Sequence, residues 1–555
     1  MKRLKNIVNR KQLLKRQFKL EDLPEKKGKK FVIIQIDGLS YPLLKTLSKT
    51  KYMPSMGKLL DRYNITKWDP GVPANTHFIQ AGIMYGNNSI VPGFKFYDKK
   101  KEKVYALGTN PSAKAIEEEL ALKNKGILRG GTSINNVYSG GADRSVMTMA
   151  KIYENRGRVG TLNEAIKVVL LNPVSSLRII LLTAREICLE LYESFLEIIT
   201  SFVNQKHFNW PFFHPYFPFF RAFMTTTTRE ISTQTMLLEI ERNVPYLYVN
   251  YLGYDSLAHY RGPTSISGFN LLKQIDRDIK KIVTKAEEKN YDVFIMSDHG
   301  QVPSKPFDKL YYETFDEFVA KVANTTTKSF IAQSNENTMS KFMWYKIKYY
   351  YKHFSLPLRI MSWSFVQMLR LSVKMMRKEE KELSRVQKQP IIIQYSSSLA
   401  QMYLNFKEKR LDISEIEEKY PTLVKEIVQH PGIGFIIGKE GDEYHIIHAK
   451  GKIILKKNSV EFKGERFLKV YGDERKLVKQ IRYFASLKYT GDLIIIGDYD
   501  GKTMVAFDHF HFGTHDSLGG EQQDSFFISK ERIDLSHITN AKELYPFFEA
   551  YHDEK

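Results

Sequence analysis

Cysteine is almost absent from this chain of 555 residues, which contains Cys188 alone. A single cysteine excludes an internal disulfide framework and any metal cluster that is held by several thiolates. Cys188 lies within an apolar helical pattern, so we expect it to be a buried packing residue rather than a reactive one. The composition, with 43% hydrophobic and 26% charged residues, is typical of a globular protein.

Acidic residues are missing from two stretches of the chain. Residues 1–20 contain eight basic residues and residues 341–378 contain nine, and neither stretch contains an aspartate or a glutamate. The formal net charge of the whole chain is +22. Clustered positive charge is typical of proteins that meet an anionic surface, either phospholipid or nucleic acid.

Long hydrophobic runs are missing as well. The basic start is not followed by the apolar stretch that a secretory signal requires. The charge-free tract 207–220 is interrupted by three prolines and is shorter than the roughly 18 residues of a membrane-spanning helix. We therefore expect a cytoplasmic protein that is able to bind peripherally at a membrane face.

Four short apolar runs have the length of β-strands: 31–36, 246–252, 293–296 and 493–496. Most of them lack polar alternation, which is typical of parallel strands that are buried on both faces. Leu271, Ile275 and Ile279 belong to an amphipathic helix pattern between the second and third runs. Strand, helix and strand in this order predict right-handed crossovers and an open α/β sheet.

Aspartates and histidines follow three of these runs, and a glycine-rich loop near the C-terminus adds another histidine: Asp37, Asp255, His259, Asp298, His299 and His515. In open α/β sheets, ligands bind beyond the carboxyl ends of the strands. Aspartate and neutral histidine are ligands for Zn²⁺ and Mn²⁺. Six of them suit two ions about 4 Å apart, an arrangement that promotes phosphoryl displacement. Each residue alone is more often a cap or turn residue, so the prediction depends on the ordered set.

The segments that carry these residues resemble, in the same order, the motifs of the type I phosphodiesterase and nucleotide pyrophosphatase family of the alkaline phosphatase superfamily: FVIIQIDGLSY, PANTHFIQAGIMYG, YLGYDSLAHYRGP, MSDHGQ and GTHDSLGG. Together they span residues 31–520. The resemblance implies an α/β fold of the alkaline phosphatase type. Its open, mostly parallel central sheet is flanked by helices, and two helical insertions form a cap.

The resemblance also implies a role for each residue. Thr76, in the second segment, is the expected nucleophile, and its attack would form a phosphothreonine that water then hydrolyses. The backbone N–H of His77, at the start of the same helix, is expected to help hold a phosphate. Two divalent ions, Zn²⁺ or Mn²⁺, have these implied ligands: Asp37, Thr76, Asp298 and His299 for one ion, and Asp255, His259 and His515 for the other.

The sequence departs from the family pattern at two places. Asp516 follows His515, where the family usually has glycine, and adds a carboxylate beside the expected metal site. The segment IVPGFKFYD lacks the asparagine that binds a phosphate oxygen in nucleotide pyrophosphatases, which argues against nucleotide diphosphates as substrates. Arg144, in GGADRS, is a candidate for binding the substrate phosphate, and a surface salt bridge is the alternative.

We expect the catalytic core to be divided by two insertions, each of which either packs over the active site or docks at a membrane surface. The predicted division is a basic N-terminal segment (1–28), a first core segment (29–155), a helical and aromatic insertion (156–235), a second core segment (236–310), a basic amphipathic insertion (311–385) and a third core segment with the closing metal-ligand loop (386–555).

The favoured function is that of a metal-dependent phosphodiesterase acting on a lipid-headgroup, nucleotide or related phosphate ester. One alternative is a cytoplasmic phosphomutase or phosphotransferase of the same superfamily. Another is a membrane-surface binding protein with a vestigial hydrolase core, against which the complete ligand set argues. The expected partners are a phosphate-ester substrate and an anionic membrane surface. Nucleic acid is not expected, because the basic clusters lack a recognisable binding module.

Overall fold

A computed structural model describes residues 28–152, 173–203, 217–329 and 389–552. The two basic stretches 1–20 and 341–378 lie outside the described residues, so membrane docking through them stays a prediction. None of the described helices is both long enough and apolar enough to cross a membrane.

The described strands, numbered along the chain, are β1 (Phe31–Ile36), β2 (Asn64–Trp68), β3 (Lys95–Asp98), β4 (Lys103–Ala106), β5 (Thr132–Ile134), β6 (Arg144–Val146), β7 (Tyr246–Tyr251), β8 (Asp292–Met296), β9 (Val302–Pro306), β10 (Thr327–Ser329), β11 (Ile391–Ser396), β12 (Leu399–Leu404), β13 (Ile433–Glu440), β14 (Glu443–His448), β15 (Gly451–Leu455), β16 (Val460–Gly464), β17 (Leu493–Gly497), β18 (Met504–Ala506), β19 (Gly513–Thr514) and β20 (Ser525–Ser529).

The described α-helices are α1 (Tyr41–Leu47), α2 (Pro54–Leu60), α3 (Thr76–Tyr85), α4 (Asn110–Ala121), α5 (Pro173–Val203), α6 (Phe217–Ala222), α7 (Thr228–Glu241), α8 (Gly253–Arg261), α9 (Ile266–Glu288), α10 (Phe307–Tyr311), α11 (Phe315–Val322), α12 (Ile413–Lys419), α13 (Leu423–Gln429), α14 (Glu474–Ala485) and α15 (Tyr545–Glu549). A π-helical turn, Phe223–Thr227, joins α6 to α7.

The central sheet has the strand order β2-β20-β8-β1-β7-β5-β6. β1 is parallel to β7 and β8, its neighbours on either side, and β5 and β6 continue the parallel set. β20 runs antiparallel to β8 and β2. The predicted open, mostly parallel sheet is thereby confirmed, and the carboxyl ends of β1, β7 and β8 meet at one edge.

Alternate residues of β1 face two different hydrophobic cores. Phe31 and Ile33 point into one core, while Val32 and Ile34 point into the other, against α9. Because both faces are covered, all six residues of β1 are buried. The apolar stripe predicted for α9 is confirmed, since Leu271 and its partners at helical spacing are buried. Continuous apolar runs thus identified these strands correctly.

A second sheet has the order β10-β11-β12-β17-β13-β14-β15-β16 and is mainly antiparallel. The prediction that residues 493–496 form a parallel strand was wrong, because β17 pairs antiparallel with both of its neighbours. All five residues of β17 are buried. A continuous apolar run reports burial on both faces, and burial does not depend on the direction of the neighbouring strands.

α7 runs through the boundary predicted between residues 235 and 236. β10, which lies within the predicted insertion 311–385, pairs with β11 of the third core segment. The division of the chain stays a prediction. Cys188 is exposed on α5, so the prediction that it is buried was wrong. Its apolar helical pattern was identified correctly, but this helix turns its apolar side outward.

Candidate active site

Thr76 is the first residue of α3, and the helix is positioned by the residue before it. The Asn75 side chain caps the helix by accepting a hydrogen bond from the Phe78 backbone N–H at 2.9 Å. All ten residues of α3 are buried, which fixes the helix start against the sheet. Thr76 Oγ1 lies 3.2 Å from Asp37 Oδ1 and 3.3 Å from His299 Nε2.

Asp37, Asp298 and His299 reach this hydroxyl from two neighbouring strands. Asp37 directly follows β1, and Asp298 and His299 follow β8. All three side chains are fully buried. His299 Nε2 lies 3.5 Å from both Asp37 Oδ1 and Asp298 Oδ2. Adjacent parallel strands end at the same edge of the sheet, which brings these residues together.

A second group contains Asp255, His259 and His515. Asp255 and His259 lie one helical turn apart on α8, with Oδ2 and Nε2 separated by 3.4 Å. His515 follows β19, which pairs with β9 just beyond His299. His515 Nε2 lies 3.6 Å from Asp255 Oδ1. The pairing of β19 with β9 therefore carries a histidine from the far end of the chain to the same edge.

Asp255 connects the two groups. Possible ligand atoms lie within 4.8 Å of one another in the set Asp255, His259 and His515, and also in the set Asp37, Asp255 and His299. The residues predicted from sequence as metal ligands therefore form one continuous cluster around Thr76. Their assignment to individual ions stays a prediction.

The imidazoles are oriented by backbone carbonyls. His259 Nδ1 lies 2.9 Å from the Gly513 oxygen, His299 Nδ1 lies 3.1 Å from the Gly300 oxygen, and His515 Nδ1 lies 3.0 Å from the Ala74 oxygen. Since a carbonyl oxygen only accepts, each Nδ1 carries the hydrogen, and a ring in its neutral form turns an Nε2 lone pair inward. Hydrogen bonds of this kind, from the outward ring nitrogen to a carbonyl, are typical of metal-binding histidines.

Two features show that the cluster suits a cation. The Nε2 atoms of His259 and His515 lie 3.0 Å apart, so two lone pairs would face each other in the neutral rings. Asp298 Oδ2 is buried and accepts no hydrogen bond from any residue that the structure describes. Both features favour positive charge in the space between the side chains, and the nitrogen and oxygen donors match Zn²⁺ or Mn²⁺.

The electrostatics of the cluster agree with this conclusion. Burial, together with the charges of Asp298 and Asp255, raises the pKa of Asp37 well above its usual value. Burial also opposes ionisation of Asp255, but His259 and His515 outweigh it and hold the pKa of that carboxyl below its usual range. For His515, burial is outweighed by Asp516 and Asp255, which raise its pKa to about 9. In the metal-free protein, protons therefore offset part of the crowded negative charge.

Two residues that support the cluster, Asn250 and Gln301, were not assigned a role from sequence. Asn250, within β7, donates to Asp37 Oδ2 at 2.7 Å, and Gln301, two residues after His299, donates to Asp255 Oδ1 at 2.6 Å. The polar Asn250 inside an apolar strand was the available signal. Asp516 is buried, with Oδ1 2.6 Å from His515 Nδ1, so the residue that replaces glycine turns inward.

Arg144 is not brought to this cluster. It begins β6, level with Thr132 and Leu247, which lie at the amino ends of their strands. Its guanidinium donates to the buried Glu239 carboxylate at 2.6 Å. Arg144 therefore forms an ion pair, as the alternative had it, but with a fully buried carboxylate rather than at the surface, and the pair lies at the opposite edge of the sheet from Thr76.

The family match places the chain in the alkaline phosphatase superfamily, which is metal-dependent. The sequence matches the type I phosphodiesterase / nucleotide pyrophosphatase family over residues 31–359, which is more than half of the chain. The chain belongs to that family and is a phosphoester hydrolase. The family and the enzyme class predicted from sequence are thereby confirmed.

Solved structures show similarity over nearly the whole chain. The wild-type alkaline phosphatase PafA, which supports the fold assignment, is 12% identical, with a TM-score of 0.51 over 96% of this chain and 97% of that one. A phosphonoacetate hydrolase from Sinorhizobium meliloti 1021, in complex with phosphonoacetate, is 9% identical, with a TM-score of 0.48 over 94% and 95% of the two chains. No curated protein matches the sequence.

Proposed function

We propose that this protein is a two-metal phosphodiesterase in which Thr76 is the nucleophile. The observation that carries the proposal is the position of Thr76 Oγ1, 3.2 Å from Asp37 Oδ1 and 3.3 Å from His299 Nε2, at the start of a buried helix. A hydroxyl beside an anionic cluster suited to divalent cations is the arrangement that activates a weak nucleophile.

Two sets of residues have different positions in the proposed site. Asp37, Asp298 and His299 surround the threonine hydroxyl, and Asp255, His259 and His515 line the adjoining space. When bound there, two divalent ions lower the pKa of a hydroxyl group and offset the charge that develops on the phosphoryl oxygens. Thr76 attacks phosphorus as the leaving alcohol departs, so that a phosphothreonine forms and is then hydrolysed.

The start of α3 is the proposed phosphate subsite. The His77 backbone N–H lies in the first turn, where it has no intrahelical acceptor, and it has no acceptor among the described residues. Burial lowers the pKa of the His77 side chain to about 3, so its ring is neutral at physiological pH. That ring packs on Phe94, with the centroids 4.8 Å apart. Phe94 therefore places an aromatic surface beside the nucleophile helix. It belongs to the segment IVPGFKFYD, which lacks the phosphate-binding asparagine of the nucleotide pyrophosphatases, so nucleotide diphosphates are not the favoured substrates.

The test compares hydrolysis of bis-(p-nitrophenyl) phosphate and p-nitrophenyl phosphate by metal-stripped enzyme that is resupplied with Zn²⁺ or Mn²⁺. We expect metal-dependent turnover of the diester, reduced on the order of a thousandfold or more by Thr76→Ala. Thr76→Ser keeps the hydroxyl and is the matched control, which should retain measurable turnover.

Other outcomes separate the alternatives. Faster turnover of the monoester would identify a phosphatase, and no turnover of either ester by metal-loaded enzyme would favour a phosphomutase or phosphotransferase. Full activity of Thr76→Ala would refute the nucleophile, and failure to bind metal would refute the catalytic proposal. The cytoplasmic location stays a prediction.

A further inference from the structure

An ordinary surface helix buries its apolar stripe and exposes its charged residues. Helix α5 has the reverse arrangement. Among the described side chains of α5, the buried ones are Glu186 and Glu190. The large side chains that it exposes include Leu181 at 61%, Tyr192 at 59% and Phe195 at 58%.

The inward side of α5 is held by ion pairs. Arg221 of α6 is nearly fully buried and contacts Glu190, while its Nη1 lies 2.6 Å from Glu193 Oε2. Arg261, at the end of α8, donates to Glu190 Oε1 at 2.6 Å. Buried charges of this kind require their partners, so these pairs fix which side of α5 faces the protein.

The outward residues form one stripe rather than scattered positions. Leu181, Cys188, Tyr192, Phe195 and Ile199 are spaced by seven, four, three and four residues, which places them on one side of a helix with 3.6 residues per turn. All five are exposed. We call these five residues the outer stripe. An exposed apolar stripe of this kind marks an interaction site, and exposed Arg185 lies in the turn between Leu181 and Cys188.

A basic groove lies along one flank of the outer stripe. It has a volume of about 1160 Å³ and lies between α5, α7 and α9. The basic side chains that line it are Arg178, Arg185, Lys273, Arg277, Lys280, Lys281 and Lys285. Arg277 and Lys280 are exposed and have no ion-pair partner in the described part of the chain. Glu241, Asp276 and Glu288 also line the groove, so seven basic side chains against three acidic ones leave it with a net positive charge beside an apolar surface.

We propose that the outer stripe and the basic groove dock this protein on a bilayer of anionic phospholipid. An amphipathic helix that lies in the interface buries its apolar side chains at the headgroup boundary, and neighbouring basic residues pair with lipid phosphates. A second copy of the chain is a poorer occupant, because a two-fold contact through the stripe would bring two basic grooves together. This inference does not depend on the proposed reaction.

The inward side of α5 contacts α8, the helix that carries two metal-ligand candidates. Arg261, which pairs with Glu190 of α5, is two residues from His259 on α8. The ion pairs between α5 and α8 therefore lie between the outer stripe and the α8 residues of the cluster around Thr76.

The test is co-sedimentation of the full chain with vesicles of phosphatidylcholine alone or mixed with phosphatidylserine. We expect binding to the anionic vesicles. Tyr192→Glu with Phe195→Glu should weaken it on the order of tenfold or more, because charge replaces inserted apolar area. Arg277→Gln with Lys280→Gln should weaken it by about fivefold per charge removed. Leu122→Glu changes a leucine that is 84% exposed at the end of α4 and serves as the matched apolar control.

The following outcomes of the vesicle experiment would contradict the proposal. Equal vesicle binding by wild type and both double variants would overturn it and assign any binding to the basic stretches 1–20 and 341–378. Absence of binding to anionic vesicles by the wild type would also overturn it. A concentration-dependent dimer that Tyr192→Glu with Phe195→Glu dissociates would assign the stripe to a second copy. Circular dichroism and thermal unfolding of each variant separate loss of binding from loss of the fold.

Discussion

Gly38 is the position where a single methyl group should disturb the catalytic cluster. It follows Asp37 and has φ of +73°, a left-handed conformation that favours glycine. A Cβ atom at this position would lie 2.7 Å from Asp255 Oδ1 and 3.2 Å from Asp255 Cα. Gly38→Ala therefore combines backbone strain with a clash against Asp255, the residue that connects the two ligand groups.

The two contributions can be separated with a control. The left-handed conformation costs alanine about 1–2 kcal/mol, and overpacking against Asp255 adds about 1–3 kcal/mol. Gly130 has φ of +76°, and a Cβ there meets no described atom within 4 Å. Gly130→Ala should therefore show the strain alone, while Gly38→Ala should lose about 2–5 kcal/mol of folding free energy.

Metal affinity is the sharper measurement. Displacement of the Asp255 carboxylate should weaken Zn²⁺ or Mn²⁺ binding in Gly38→Ala by about 10- to 100-fold, a typical effect of disturbing ligand orientation. Competition with a chelator of known affinity measures the dissociation constants, and Gly130→Ala should bind metal as the wild type does. Wild-type metal affinity in Gly38→Ala would refute the inference that the close approach of Gly38 and Asp255 shapes the site.

Two further predictions concern charges outside the site. Arg221→Met should destabilise the packing of α5 by about 3–5 kcal/mol, because it leaves the fully buried Glu190 without this partner. Arg185→Met, which changes an exposed arginine of the same helix, should cost at most about 1 kcal/mol, and protection of α5 from hydrogen exchange measures both. For His509, burial lowers the pKa, but the partner Asp308 at 3.1 Å outweighs burial and raises it above 6.5. That pair stabilises the fold fully below pH 6.5, and its contribution is lost as the pH rises through the folded-state pKa. His509→Asn should therefore lower the calorimetric stability of the metal-free protein at about pH 6 by about 1 kcal/mol, with the difference shrinking as the pH rises, and a difference that does not change with pH would contradict the assignment.

Patterns in the sequence were enough to predict the central sheet and the residues of the cluster around Thr76. Continuous apolar runs report burial on both faces, and the residues after β1, β7 and β8 must emerge at one edge if those strands are parallel. Asp37, Asp255 and His299 were therefore predictable as neighbours although they are far apart along the chain. The ordered motifs supplied Thr76 and His515.

The arrangement of the rest of the chain depends on contacts between elements that are far apart in sequence. β17 has the same apolar pattern as the central strands, and its antiparallel pairing depends on neighbours that burial does not specify. Arg144 was a candidate phosphate ligand in the sequence. The pairing of β6 with β5 places it at the amino ends of the strands, beside Glu239. The apolar pattern around Cys188 indicated a helix with a buried stripe, but the partners that arrive from α6 and α8 are arginines. Because buried arginines require carboxylates, the acidic side of α5 faces inward and its apolar side faces out. Periodicity reveals which side chains share a face of a helix, whereas the chemistry of the neighbouring elements decides which face is buried.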